Sequence, residues 1–282
     1  MSIANNREEV INMNLKTSLR FIDHVNEALT IEPAETVAYV ALQGSQNYNL
    51  QYEDSDVDTK AIVVPTLMSI VKNQKMKSYT HVRANDEHID FKSVAPMFDC
   101  FRKQNINFIE ILFTDYFWIN DLYKDEIQAL RDFAEEIARM DTYQAVKCMK
   151  GMAYEKYHAL EHPYPAKAQI IAEHGYDGKQ LSHMVRIEEF LKKYLDGAPY
   201  KICLQSEQRD WLIYLKQHKL SLEEARKLAG ETLLTIDALA DRFCTFNSNR
   251  EAYKNQKTFE LLDEIQYNII RKALVYELQQ ER

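Results

Sequence analysis

The chain has 282 residues and a formal net charge of −8, with 35 lysines and arginines against 43 aspartates and glutamates. That length holds one large domain or two modest ones. The acidic excess runs through both ends of the chain, which excludes the broad basic footprint of a duplex-DNA binder. Only 6 glycines and 6 prolines interrupt it, so a helix-rich fold is expected.

No apolar run approaches the ~20 residues of a spanning helix, and MSIANNREEVINMNLK lacks the apolar stretch of a secretion signal. A cytoplasmic protein with no membrane partner is expected. Cys100, Cys148, Cys203 and Cys244 show no CxxC spacing, so they read as small buried hydrophobes rather than zinc ligands.

In chain order, residues 7–30 place Val10, Ile11, Leu15, Leu19, Phe21 and Val25 at mostly helical steps, an amphipathic helix ended by Pro33. TVAYVALQ (36–43) and VDTKAIVV (57–64) are short and β-branched, and predict two buried strands. KSYTHVR and EHIDFKSV alternate polar and apolar residues around Ala84-Asn85-Asp86, as a hairpin would. From residue 93 a serine-capped helix is expected. Beyond 122 nearly everything has helical period, broken near His162-Pro163, Gly175, Gly197-Ala198-Pro199 and Lys219. The predicted organisation is an α+β unit, a mixed sheet flanked by helices, over 1–121, and an all-helical part over 122–282. No flexible linker separates them, so a shared interface is expected.

The stretch GSQNYNLQYEDSDVDTKAIVVP (44–65) concentrates carboxylates. Either it is a solvated loop or it receives something strongly positive. Asp54, Asp56 and Asp58 match the opening of a calcium-binding helix–loop–helix, but Thr59 and Pro65 stand where that loop needs Gly and Glu. Strand alternation instead projects Asp56 and Asp58 to one face. Two such carboxylates raise each other's pKa unless a cation neutralises them. Hard oxygen ligands so placed suit Mg2+ or Mn2+, with substrate phosphates completing the shell. Upstream, Gly44 lets backbone approach a ligand closely. Ser45 opens a helical turn whose free N–H groups suit phosphate; a plain helix cap is the alternative reading, and the two are compatible. Asp90, between Ile89 and Phe91, is the foremost third carboxylate, sharing a face with His88 and Lys92. Asp86 and Glu87 fall at the expected turn and rank lower.

Gly-Ser, a spacer, Asp-x-Asp, then an Asp on a later strand resembles the polymerase-β superfamily of nucleotidyltransferases. Over roughly residues 36–120 the chain looks like the small bacterial and phage branch linked to RNA repair. Asn49 stands where that branch usually has Gly, and Ile106 replaces the Pro between Asn105 and Asn107. The resemblance implies two Mg2+ or Mn2+ ions held by Asp56 and Asp58, with Asp90 holding the catalytic one and accepting the proton of the attacking hydroxyl. It further implies that Gly44 and Ser45 grip the outer phosphates of a nucleoside triphosphate such as ATP. An NMP would pass to an acceptor hydroxyl, an RNA end such as that of tRNA being favoured, and pyrophosphate would leave. A nucleotidylating toxin or protein modifier and a catalytically silent nucleotide-binding module are the alternatives on the same fold.

In the helical part, Lys179, His183 and Arg186 share one helix face. They are either a solvated stripe or, as the resemblance implies, a row closing over the triphosphate. Lys147 and Lys150 read more simply as solvated. His158, His162 and His174 are too scattered for a metal set. The aromatics of LFTDYFW read as core rather than a base-stacking platform, and Glu110 as a helix-end carboxylate that could orient the site.

Overall fold

The computed structural model describes residues 3–52, 55–246 and 249–280. The first helix, α1, runs Ile3–Ile31, and Pro33 bars its continuation. It presents Phe21, His24, Val25 and Ala28 to the sheet, the i, i+3, i+4, i+7 set of one helix face. Leu15 and Leu19, expected on that face, are instead exposed. At about 100° per residue, residue 19 lies some 200° round the helix from Phe21, on its opposite side.

Among the described residues, five strands and three further helices complete the N-terminal half. They are β1 (Val37–Gln43), β2 (Asp58–Val63), α2 (Leu67–Val71), β3 (Ser78–Val82), β4 (His88–Ser93), α3 (Val94–Arg102), α4 (Ile106–Ile109) and β5 (Phe117–Ile119). The sheet has the order β3-β4-β2-β1-β5. β2 and β4 run parallel, whereas the other neighbours are antiparallel. β1 and β2 are covered on both faces, which is why their sequences are near-continuous apolar runs. The β3–β4 hairpin forms as expected, with Asp86 in left-handed geometry at its turn. Ser93 does precede α3, but its hydroxyl accepts the Lys77 N–H at 2.8 Å rather than capping the helix.

Alternation sorts the strands into two faces. Val57, Ala61, Val63, Ile89 and Phe91 pack with Phe21, Val25 and Ala28 of α1. The residues between them look the other way, toward the helical half. That half comprises α5 (Lys124–Asp132), α6 (Ala134–Ala138), α7 (Thr142–Ala159), α8 (Ala168–His174), α9 (Gly178–Leu195), α10 (Tyr200–Leu204), α11 (Arg209–Lys216), α12 (Leu222–Phe246) and α13 (Gln256–Gln280). The four breaks that the sequence marks are present, with Gly175 and Gly197 both at φ of 80°, whereas those on either side of α6, between α10 and α11 and between α12 and α13 are not marked in it.

The two halves share one core. Tyr39, Tyr48, Ile62 and Phe98 are in a single cluster with Met149, Phe190, Ile236 and Leu262. α9 is the central helix, packing against α7, α10, α11 and α12. A Cβ on Gly178 would lie 2.3 Å from the Leu215 carbonyl oxygen. Only glycine therefore lets the start of α9 touch the end of α11. Among the described residues, no helix is long and apolar enough to cross a membrane.

Candidate active site

The register of β1 on β2 sets Gln43 directly opposite Asp58. The turn that follows β1 therefore lies beside the loop that precedes β2. The Gln46 side chain donates to the Asp56 carbonyl at 2.9 Å and fastens the two together. Gly44 adopts φ 91°, ψ −142°, a region essentially reserved for glycine. A short 3-10 turn, Ser45–Tyr48, opens immediately after it, and Asn49 closes that turn in left-handed geometry. Asparagine tolerates that geometry, so the turn closes without a glycine at this position.

Beneath the turn sits Glu110, 2% exposed. It accepts the Gly44 N–H at 3.1 Å and the Asn47 side-chain amide at 3.0 Å. Burial raises its pKa, against the Lys60 charge and hydrogen bonds from Asn47, Tyr48 and Gly44. Glu110 does begin a helical turn, Glu110–Leu112, and it also organises the site. Ser45 is not a side-chain cap: Gly44 occupies the cap position, and the Ser45 hydroxyl donates to Gln46 at 3.2 Å.

Asp56 is exposed in the loop just ahead of β2, while Asp58 opens the strand half-buried. Asp54 lies outside the described residues. The His88 N–H donates to Asp58 Oδ1 at 2.9 Å. Burial raises the Asp58 pKa, and repulsion from Asp56 adds to it, against the His88 N–H and the Lys179 charge. Asp90 stands opposite Lys60 in the parallel register, two residues further along than the Asp58 level. Its carboxylate accepts from Thr80 at 2.5 Å and Gln43 at 3.0 Å and pairs with Lys60 Nζ at 3.4 Å. Burial works to raise the Asp90 pKa, but the Thr80 hydrogen bond, the Lys60 charge and the Gln43 hydrogen bond outweigh it.

The opposite wall is α9, capped by Asp177, whose side chain accepts the Lys179 N–H at 2.9 Å. Lys179, Ser182, His183 and Arg186 face the cavity, joined by Lys216 from α11. Burial and the charges of Lys216 and Lys167 lower the Lys179 pKa. Burial and the charges of Arg186, Lys179, Lys156 and Lys216 hold His183 well below the ordinary imidazole range, so it is neutral at pH 7. Arg186 is 6% exposed. Its guanidinium lies 3.7 Å from the centroid of the Tyr48 ring, and its buried Nε has no protein partner.

The eight foremost candidates of the sequence (Gly44, Ser45, Asp56, Asp58, Asp90, Lys179, His183 and Arg186) line one cleft of about 460 Å³, the size range of small-molecule sites. Tyr48, Leu50, Leu212 and Ile213 give it an apolar wall. Sequence reasoning passed over Gln43, Lys60, Ser182 and Lys216. Lys60 carried a signal, being two residues after Asp58 on the same strand face. Lys216 carried none, because only the α9–α11 contact brings it here.

Lys147 and Lys150 stay out of the cleft lining. Lys150 pairs with Asp237 and Asp241, and Lys147 lies 5.8 Å from the Tyr143 ring. His174 stacks on His218 at 4.3 Å. In LFTDYFW, Phe113 stacks on Tyr200 at 4.8 Å, and Arg131 covers the Phe117 ring at 3.6 Å.

Two neighbouring carboxylates, one of them half-buried, fit a hard divalent cation at Asp56 and Asp58. Among the described residues no group of three His, Cys, Asp or Glu side chains is gathered closely enough to hold an ion. Oxygens of a substrate would therefore be needed to close a shell there. Asp90 would ligate only by exchanging its contacts with Lys60 and Gln43. No profile of a known protein family matches the chain, and no curated protein matches its sequence.

Proposed function

We propose that the protein is a nucleotidyltransferase of the polymerase-β type. It moves a nucleoside monophosphate from a nucleoside triphosphate to an acceptor hydroxyl, an RNA end such as that of a tRNA being the favoured acceptor. The observation that carries this reading is the convergence on one cleft of the Gly44–Ser45 turn, the carboxylates Asp56, Asp58 and Asp90, and the row Lys179, His183 and Arg186.

Asp56 and Asp58 would hold Mg2+ or Mn2+, which supplies charge neutralisation at the phosphates. The Gly44 N–H is committed to Glu110. The donors left for the outer phosphates are thus the first N–H groups of the following turn, joined by the Ser45 hydroxyl once it exchanges its contact with Gln46. Lys179 and Arg186 add positive charge from the facing wall, and neutral His183 adds a hydrogen-bonding nitrogen without charge. The acceptor oxygen bonds to the α-phosphorus as the bond from that phosphorus to the bridging oxygen breaks. The acceptor's proton passes to Asp90, and the leaving group is pyrophosphate. Catalysis in this scheme rests on orientation and on charge placed in advance of the reaction.

The contacts of Asp90 with Lys60, Gln43 and Thr80 favour one second reading, a silent module that binds metal and nucleotide without turnover. Incubation with each α-labelled NTP, Mn2+ or Mg2+, total RNA and cell protein decides between them. Label on one class of acceptor, absent from Asp56→Ala/Asp58→Ala, supports transfer and separates an RNA acceptor from a protein one. Nucleotide binding without label or pyrophosphate supports the silent module.

A further inference from the structure

We infer that Glu87 and Arg20 are positioning residues for the metal-binding carboxylates, acting on them through the sheet from its far side. This rests on the nucleotidyltransferase reading of the cleft. Glu87 reads in sequence as a turn residue, yet it is 0% exposed. One carboxylate oxygen accepts the Val57 N–H at 2.8 Å and an Arg20 guanidinium N–H. The other accepts from Asn85 at 2.7 Å, from Arg83 at 3.0 Å and from His24 Nε2 at 3.0 Å.

The same group of side chains holds the chain at every second residue. Arg20 Nη1 donates to the Ser55 carbonyl at 2.9 Å, Glu87 takes the Val57 N–H, and His24 Nδ1 meets the Thr59 hydroxyl at 3.0 Å. A carboxylate only accepts, so His24 Nε2 carries the proton and Nδ1 accepts from Thr59. Ser55, Val57 and Thr59 are buried against this network, whereas Asp56 and Asp58 between them face the cleft. Alternation makes these two facts one: anchoring 55, 57 and 59 fixes where 56 and 58 project. The next residue, His88, holds Asp58 directly through its N–H. Residues 87 and 88 thus grip the carboxylate segment from both faces of the sheet.

Nothing in packing alone demands this arrangement. A hub of two guanidiniums, an imidazole and a carboxylate is an expensive way to fill a sheet–helix interface, and apolar residues of similar volume would serve stability as well. It delivers fixed geometry in a segment whose two ionised side chains repel each other.

The test uses the full-length protein and Mn2+ as probe, followed by electron paramagnetic resonance in the presence of α,β-methylene analogues of the four NTPs. Arg20 is 27% exposed at its side chain and Glu87 keeps Arg83, Asn85 and His24 without it, so Arg20→Ala is expected to fold, which circular dichroism and a cooperative melt check. Glu87→Gln is the isosteric companion. The expected result is a loss of Mn2+ affinity of roughly 10-fold or more, with faster amide exchange confined to residues 55–59 and label transfer restored by excess Mn2+. Arg20→Lys should recover part of the affinity. A folded Arg20→Ala variant with wild-type Mn2+ affinity overturns the inference alone. Wild-type protein that binds no Mn2+ with any analogue overturns the reading of the cleft, and the inference with it.

Discussion

Glu110 Oε2 accepts the Gly44 N–H at 3.1 Å, across 66 residues of sequence. The turn that only glycine can open is thereby tied to a buried carboxylate. Glu110→Ala would leave that N–H and one Asn47 amide hydrogen without an acceptor, the other still donating to the Leu42 carbonyl at 3.0 Å, at a cost of about 2–4 kcal/mol. Glu110→Gln, whose amide oxygen can accept the same two hydrogens, should lose much less. Urea unfolding of both variants checks this. Equal stability in Glu110→Ala and wild type would remove Glu110 from its role beneath the turn.

Gly178→Ala places a methyl group 2.3 Å from the Leu215 carbonyl oxygen. Backbone cannot swing aside as a side chain can, so α9 and α11 must part. The gain in helix propensity from Gly to Ala is roughly 0.5–1 kcal/mol, and the overpacking typically costs about 1–3 kcal/mol. A net loss of stability is expected, with weaker nucleotide binding because Lys179 and Lys216 separate. Calorimetric melting together with a nucleotide titration will show it, and a variant more stable than wild type would contradict this contact.

Arg186→Lys keeps the charge but removes the planar group stacked on Tyr48 and the unpartnered Nε. Arg and Lys are not interchangeable at stacked or forked sites. Affinity for a nonhydrolysable NTP should fall by roughly tenfold, equivalent to ~1.4 kcal/mol, with little change in unfolding midpoint. Unchanged affinity by isothermal titration would place Arg186 outside the phosphate site.

Burial, and after it the nearby Arg83 charge, lower the His24 pKa from 6.5 to about 4. The sign follows from linkage: a group depressed in the folded state contributes stability above its unfolded pKa and loses it as pH falls toward the folded value. Stability should therefore decline between pH 6.5 and about 4 by something on the order of 3 kcal/mol. NMR titration of the His24 ring should show no protonation above pH 5, and His24→Gln should flatten this part of the pH profile. A ring that titrates near 6.5 would negate it.

Much of the site was legible in local chemistry. The period-two alternation of EHIDFKSV puts His88, Asp90 and Lys92 on one face with no knowledge of the fold. The three- and four-residue steps from Lys179 to His183 to Arg186 name a single helix face. Gly44 is singled out in the sequence for close approach of backbone to a ligand, and the structure adds a backbone conformation closed to other residues. These features depend on neighbours a few residues apart, where strand and helix geometry are fixed by the backbone itself.

Tertiary structure decided the rest, because it depends on residues brought together from far along the chain. The parallel register of β2 on β4 puts Lys60, not Asp58, opposite Asp90. The α9–α11 contact delivers Lys216 to the cleft. Glu87 reads as a turn residue from its neighbours and becomes a fully buried hub only when α1 packs over the sheet. Periodicity tells a side chain which face it occupies. Burial, and with it the partner and the pKa, is set by what covers that face.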